Sequence, residues 1–331
     1  VVLAVGAAAI PSAANADRIR PIRQPLQPTV ASDVWTAAGD GHVVWTVRTD
    51  DDTTDDWPAT TALWTLRDGV PVQAATIPDG RWVDGLELGT DVAGVPVAYV
   101  ETWDPTNGVV ARRLVRLDTG EARRIPVRRR GRWVGGMAID HGRIYSTENT
   151  RGTASLWRAR LTGLRPGRAT RIRTQRGPEG WGRLAADRNR IAVGTARDVH
   201  EFGQDMQLRG FAFGTPRGRW GRAGYEYIGD GPHDTVTVAG FTRDRSAIVL
   251  LRAADGSDLT ATAVPLSGRG RIRRAHLWNM TRFRTGAPAF EPATGRFFGD
   301  GPTTAERPDP RKPDADGPTA VGFTRPVFPP G

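Results

Sequence analysis

The chain has 331 residues, 40 of them glycine and 25 proline, a formal net charge of +10 and no cysteine. The lack of cysteine excludes disulfides, thiolate metal ligands, a cysteine nucleophile and lipid attachment through a thiol. All but one of the 46 basic residues are arginine, Lys312 being the exception. The charge therefore reads as a codon-level preference for arginine, and nucleic acid is not an expected partner.

Residues 1–16 begin with an apolar run over 1–10 that is too short to span a bilayer. Ala14-Asn15-Ala16 follows, with the small-x-small form of a cleavage site. The pattern predicts a signal-peptide remnant over 1–16 and a secreted, extracytoplasmic protein beginning at Asp17. Segment 17–32 is a candidate closing strand. From 33 to 302, apolar runs break at polar turns roughly every 50 residues. The turns lie near Asp40, Asp91, Asp140, Asp187, Asp244 and Thr294, and short β-type runs such as Val43-Val44-Trp45 and Ile191-Ala192-Val193 follow them. Helical periodicity is almost absent. The expected fold is all-β, a β-propeller of six four-stranded blades, with five blades plus an appendage as the alternative.

Blades are expected at 33–79, 80–130, 131–177, 178–232 and 233–277, with a sixth from 278. The sixth has one clear hairpin, over 289–298. Its other strands are expected from the run 319–323, within the C-terminal segment 319–331, and from 18–30, which would close the ring and hide its edges. The stretch 303–318, rich in proline and charge, is predicted as a loop. No later stretch reaches 18 apolar residues, so no transmembrane helix is expected. Trp82, Trp133 and Trp181 are each followed within a few residues by glycine, which suits innermost strands crowded about an axis. Trp35, Trp82, Trp133, Trp181 and Trp278 are read as wedges between blades.

The strings FEPATGRFF (290–298), LDTGE (117–121) and AIDHGRIYS (138–146) resemble repeats of bacterial extracytoplasmic six-bladed propellers of the TolB-like and WD40-like superfamily. That resemblance implies a cell-envelope propeller whose second-to-third-strand loops gather on one face around the channel as a binding surface. It transfers no functional residue.

Mapped onto that plan, the second-to-third-strand loops are mostly acidic. The third-to-fourth-strand loops on the other face are basic, with Arg165, Arg168, Arg171 and Arg173 and with Arg217, Arg219 and Arg222. Candidate binding residues are Asp50, Asp51, Asp52, Asp55, Asp56, Trp57, Trp103, Asp104, Glu148 and Glu201. Asp50, Asp52, Asp55 and Asp56 could cluster oxygens for Ca²⁺, though the glycine and terminal glutamate of an EF-hand loop are missing. No other cofactor is expected. Trp57 and Trp103 offer stacking surfaces, or pack over blade edges.

Catalytic motifs fail. No G-x-S-x-G occurs, and His200-Glu201 is followed by Gln204 where H-E-x-x-H needs histidine. His42 and His141, at turns on the opposite face, read as surface residues. Asp84, Asp104, Glu148 and Glu201 could supply a carboxylate pair by location alone. The sequence thus points to a secreted propeller that binds a protein, peptide or glycan at an acidic, Trp-bearing loop face, and leans away from an enzyme. The alternatives are a carbohydrate-active hydrolase or lyase using channel carboxylates, and a structural envelope component seated on anionic wall polymers.

Overall fold

The computed structural model describes residues 20–21, 35–49, 60–77, 82–104, 109–125, 133–177, 180–201, 204–228, 235–254, 258–267, 273–277, 289–292, 295–302 and 319–323. Among these all regular structure is β-strand, and no helix is long and apolar enough to cross a membrane. After β1 (Arg20–Pro21), the first blade is β2 (Thr36–Gly39), β3 (His42–Thr49), β4 (Thr60–Arg67) and β5 (Val70–Ile77). The second is β6 (Trp82–Thr90), β7 (Pro96–Asp104), β8 (Val109–Arg116) and β9 (Ala122–Ile125). The third is β10 (Trp133–Asp140), β11 (Arg143–Thr150) and β12 (Thr153–Thr162), with β13 (Arg165–Pro166) and β14 (Thr170–Arg176) both pairing β12. The fourth is β15 (Gly180–Asp187), β16 (Arg190–Glu201), β17 (Gln204–Gly214) and β18 (Gly221–Ile228). The fifth is β19 (Thr235–Phe241), β20 (Ala247–Ala254), β21 (Asp258–Pro265) and β22 (Arg273–Leu277).

The chain is thus an all-β propeller with five blades of consecutive strands. A further sheet joins the two ends of the chain in the order β1, β25 (Thr319–Phe323), β24 (Arg296–Pro302), β23 (Ala289–Glu291). In it Arg20 pairs with Phe323, and Phe323 with Phe298. Strands β2, β6, β10, β15 and β19 pack each on the next, and β23 lies between β19 and β2. The Thr36 hydroxyl stitches this sheet to the first blade, donating to the Phe298 carbonyl at 3.1 Å and accepting from the Ala289 amide at 3.1 Å.

Two-residue alternation gives each sheet two apolar faces, one for each neighbour. In β7, Val97 and Tyr99 pack with Ile139 and Leu161 of the third blade, whereas Ala98 and Val100 pack with Val44 and Leu63 of the first. In β20, Ile248 and Leu250 meet the fourth blade, while Val249 and Leu251 meet Phe290 and Phe297 of the terminal sheet. The core is therefore a set of seams between blades. Trp181, fully buried, fills the seam of blades three and four and stacks on Trp220 at 6.2 Å between centroids. The side chains of Trp82 and Trp133, and all of Trp278, lie outside the described residues.

Inner strands approach so closely that only glycine fits at some contacts. A Cβ on Gly39 would stand 2.4 Å from the Leu88 carbonyl oxygen, and one on Gly136 would stand 2.6 Å from that of Gly182. The first-to-second-strand turns take left-handed residues at Asp40 (φ 53°), His141 (41°), Asn189 (72°) and Arg245 (56°).

The second blade's turn is longer. There the Asp91 carboxylate accepts the Ala93 and Val95 amides at 2.8 and 2.9 Å, and the Gly163 amide of the third blade at 2.9 Å. Asp91 is buried, so Asp91→Ala would leave three amides without this partner. It is expected to destabilise the fold by about 2–3 kcal/mol in urea unfolding.

Candidate functional site

The ends of the inner strands enclose a cavity of about 540 Å³ on the propeller axis, at the side where the first-to-second-strand turns sit. One part of its rim is acidic. After Thr90 the 91–95 turn leans over the third blade, where the Val92 amide donates to the Leu161 carbonyl at 3.0 Å. Val92 also crowds Gly142, where a Cβ would stand 2.7 Å from Val92 Cγ1. The second blade thereby leaves its place at the rim, and the turns of blades one and three meet over Thr90.

Asp40 Oδ2 accepts the Thr90 amide at 2.9 Å and its hydroxyl at 2.7 Å. Asp40 Oδ1 lies 3.1 Å from His141 Nδ1, which is 2.5 Å from Asp140 Oδ1. Burial pushes the Asp140 carboxyl up, and the His141 hydrogen bond pulls against it. The His141 side chain is 46% exposed, so the group remains reachable from solvent. Asp40, Asp140 and His141 each offer a ligand atom, all within 4.8 Å of one another. Two carboxylates and one imidazole could hold a divalent cation.

The facing part of the rim is basic. Arg183 comes from β15, Arg188 from the turn after it, and Arg243 and Arg245 from the turn after β19. Arg245 Nε donates to Asp187 Oδ2 at 2.8 Å, which ties the fifth blade to the fourth. Arg188 and Arg243 stand exposed.

Between the two parts sits Glu87 of β6. Its Oε1 is 3.7 Å from Arg183 Nε, too long for a hydrogen bond. Burial pushes the Glu87 carboxyl up to about 7, only partly offset by the Arg183 charge. The channel thus holds a carboxyl able to gain or lose a proton near neutrality, flanked by acids from blades one and three and arginines from blades four and five.

Of the residues expected from sequence, Trp103, Glu148 and Asp84 have described side chains. Asp50, Asp51, Asp52, Asp55, Asp56 and Trp57 lie outside the described residues, as do the side chains of Asp104 and Glu201, which end β7 and β16. Trp103 is exposed on β7, at 41%. Glu148, a candidate by its expected place on a second-to-third-strand loop, is on a strand instead. It lies within β11 and is 6% exposed, because the hairpin is tight, with Thr150 paired to Thr153 around Gly152. Asp84 is exposed as a residue, but partial covering of its carboxyl group and then the Glu101 charge push it up, against the pull of Arg112.

His141 is exposed, as the sequence reading has it, and it also contacts both Asp40 and Asp140. The signal was present in the unequal turns, Gly39-Asp40-Gly41-His42 against the longer Thr90-Asp91-Val92-Ala93-Gly94-Val95. Glu87 carried no such signal. Its position on an inner strand, facing the axis, emerges only from the ring.

The fold and its axial site define the class of protein as a β-propeller. No protein family matches the chain, and no curated protein does. Among solved structures it is similar to a prolyl endopeptidase, at 14% identity and a TM-score of 0.42, over 80% of this chain and 37% of that one. It is also similar to the isopeptidase AtxE2 in its apo form, at 9% identity and a TM-score of 0.39, over 90% of this chain and 52% of that one. The chain therefore spans between about a third and about half the length of these proteins. Likeness at this level carries no argument about chemistry.

Proposed function

We propose that the protein is a six-bladed propeller, with the terminal sheet as its sixth blade, that binds a short peptide segment carrying both charges in the mouth of its channel. The observation that carries this reading is the division of the 540 Å³ cavity between acids and arginines. A cavity of that size accommodates roughly three or four residues, and a peptide presents charges of both signs as well as backbone donors and acceptors. The acidic, Trp-bearing loop face is not needed for this reading. No exposed aromatic ring lines the channel among the described residues, so glycan stacking has no support there.

The test is calorimetric binding of a library of short peptides bearing both acidic and basic side chains. Reversing the two exposed rim arginines, Arg188→Glu with Arg243→Glu, is expected to weaken the selected peptide at least ten-fold and to leave the melting temperature unchanged. Equal affinity in that variant would place the binding surface elsewhere.

A hydrolytic reading draws on the place of Glu87, which lines the channel with its carboxyl pushed up to about 7 by burial. Such a group can donate a proton to a leaving group. It requires turnover of a peptide or glycan by the wild type and loss of that turnover in Glu87→Gln.

A further inference from the structure

A second cavity, of about 470 Å³, opens in the seam between blades two and three, away from the channel. Beside Ile144 and Trp157, the small residues Ser146, Ala159, Gly167 and Ala169 line it, and β9 covers it with only four residues. Ile125, Met137 and Ala169 are consequently left partly buried at the edge of the blade-two and blade-three core. Apolar groups half-covered beside an open volume are the wall of a ligand site rather than a finished core.

The charge around this wall is one-sided. Arg112, Arg123, Arg124, Arg158 and Arg165 line the cavity, and Glu148 is the one carboxylate lining it among the described residues. Arg112 is committed, its Nε donating to Glu101 Oε2 at 2.6 Å while the Tyr99 hydroxyl donates to the same oxygen. Burial and the Glu101 charge raise the Tyr99 hydroxyl further, so it stays a donor. That network fixes the inner edge of the cleft. Arg123, Arg124 and Arg165 are exposed at its outer edge.

We propose that this cleft binds a small anionic amphiphile, a carboxylate-headed molecule with a straight apolar body. The body would lie against Ile125, Met137 and Ala169, and the head would meet the guanidinium groups of Arg123, which shares a face of β9 with Ile125, and of Arg165 across the seam. The volume admits an apolar body of roughly ten to fourteen carbons, and arginine forks match a carboxylate in two parallel hydrogen bonds. The site is separate from the channel, so its failure would leave the peptide-binding reading untouched.

Dodecanoate, below its micellar concentration, is the probe. Calorimetry is expected to show saturable one-to-one binding, with no comparable binding of acetate or dodecanol. The variant Arg123→Glu with Arg165→Glu alters only exposed side chains and is expected to weaken dodecanoate at least ten-fold. Ala169→Phe, which fills the cleft, should do the same, and Ser146→Leu serves in its place if that variant fails to fold. Absence of saturable binding overturns the proposal. So does full binding in either the charge-reversed or the filled variant, and so does dodecyltrimethylammonium binding as tightly as dodecanoate.

Discussion

Gly89→Ala should lower stability by roughly 3 kcal/mol or more, and Gly89→Val should give no folded protein. A Cβ at this position would stand 2.3 Å from the Ile139 carbonyl oxygen, 2.6 Å from its carbonyl carbon and 2.8 Å from its Cγ2. Two of these atoms are backbone of the neighbouring inner strand, so rotation of a side chain cannot relieve the contact. Blades two and three would have to separate. In a closed ring that motion also strains the seams on either side. Gly167→Ala is the control, because a Cβ there would meet the Arg160 carbonyl oxygen at an ordinary 3.5 Å. It should change stability by less than about 1 kcal/mol. Thermal unfolding of both variants decides the matter, and a Gly89→Ala protein melting within a degree or two of wild type would refute the packing described.

Stability should also fall as pH rises from 4.5 to 7, and Glu87→Gln should remove much of that fall. The Glu87 carboxyl titrates near 4.5 in an unfolded chain and at about 7 in the fold. Below 4.5 both states hold the proton, and the group takes nothing from stability. Between the two values the folded state keeps a proton that the unfolded state has released, so rising pH favours unfolding. Above 7 the loss is complete. It amounts to at most about 3 kcal/mol, and less in practice because 26% of the side chain remains open. Glutamine has no charge to desolvate. The variant should therefore exceed wild type by about 1–3 kcal/mol at pH 8 and match it at pH 4. Asp140, also pushed up by burial, stays in the variant and should leave a shallow residual slope. Arg183→Ala, which removes the partial offset, should steepen the wild-type fall. A wild-type melting temperature flat across this range would show that Glu87 is not buried as described.

Much of the strand pattern was legible because local chemistry determines it. Asp40-Gly41 and His141-Gly142 supply the left-handed residues of tight turns, and alternating runs such as Val97-Ala98-Tyr99-Val100 declare a strand with two apolar faces. The glycines after the inner-strand tryptophans announced crowding at the axis. The site was much less legible. Its charged groups come from blades two apart, Asp40 with His141 and Glu87 with Arg183, and no local spacing encodes such pairs. What brings Asp40 to His141 is the retreat of the 91–95 turn, a difference between repeats, whereas sequence reading relies on their sameness. Glu148 shows the same limit. A Glu in a hairpin loop and a Glu two residues before the end of a strand differ by a residue or two of register, yet one faces solvent and the other a cleft.

The pairing of Arg20 with Phe323 bears on how the molecule is made. A ribosome delivers those two residues some 300 positions apart, and contacts of such separation form late. Until β24 emerges, the side of the first blade with Val43, Trp45 and Val47 lacks the Phe298 that packs against it. Nascent and truncated chains therefore carry a sticky flank. A holding chaperone, or release of the chain only once it is finished, would protect it from self-association during biogenesis.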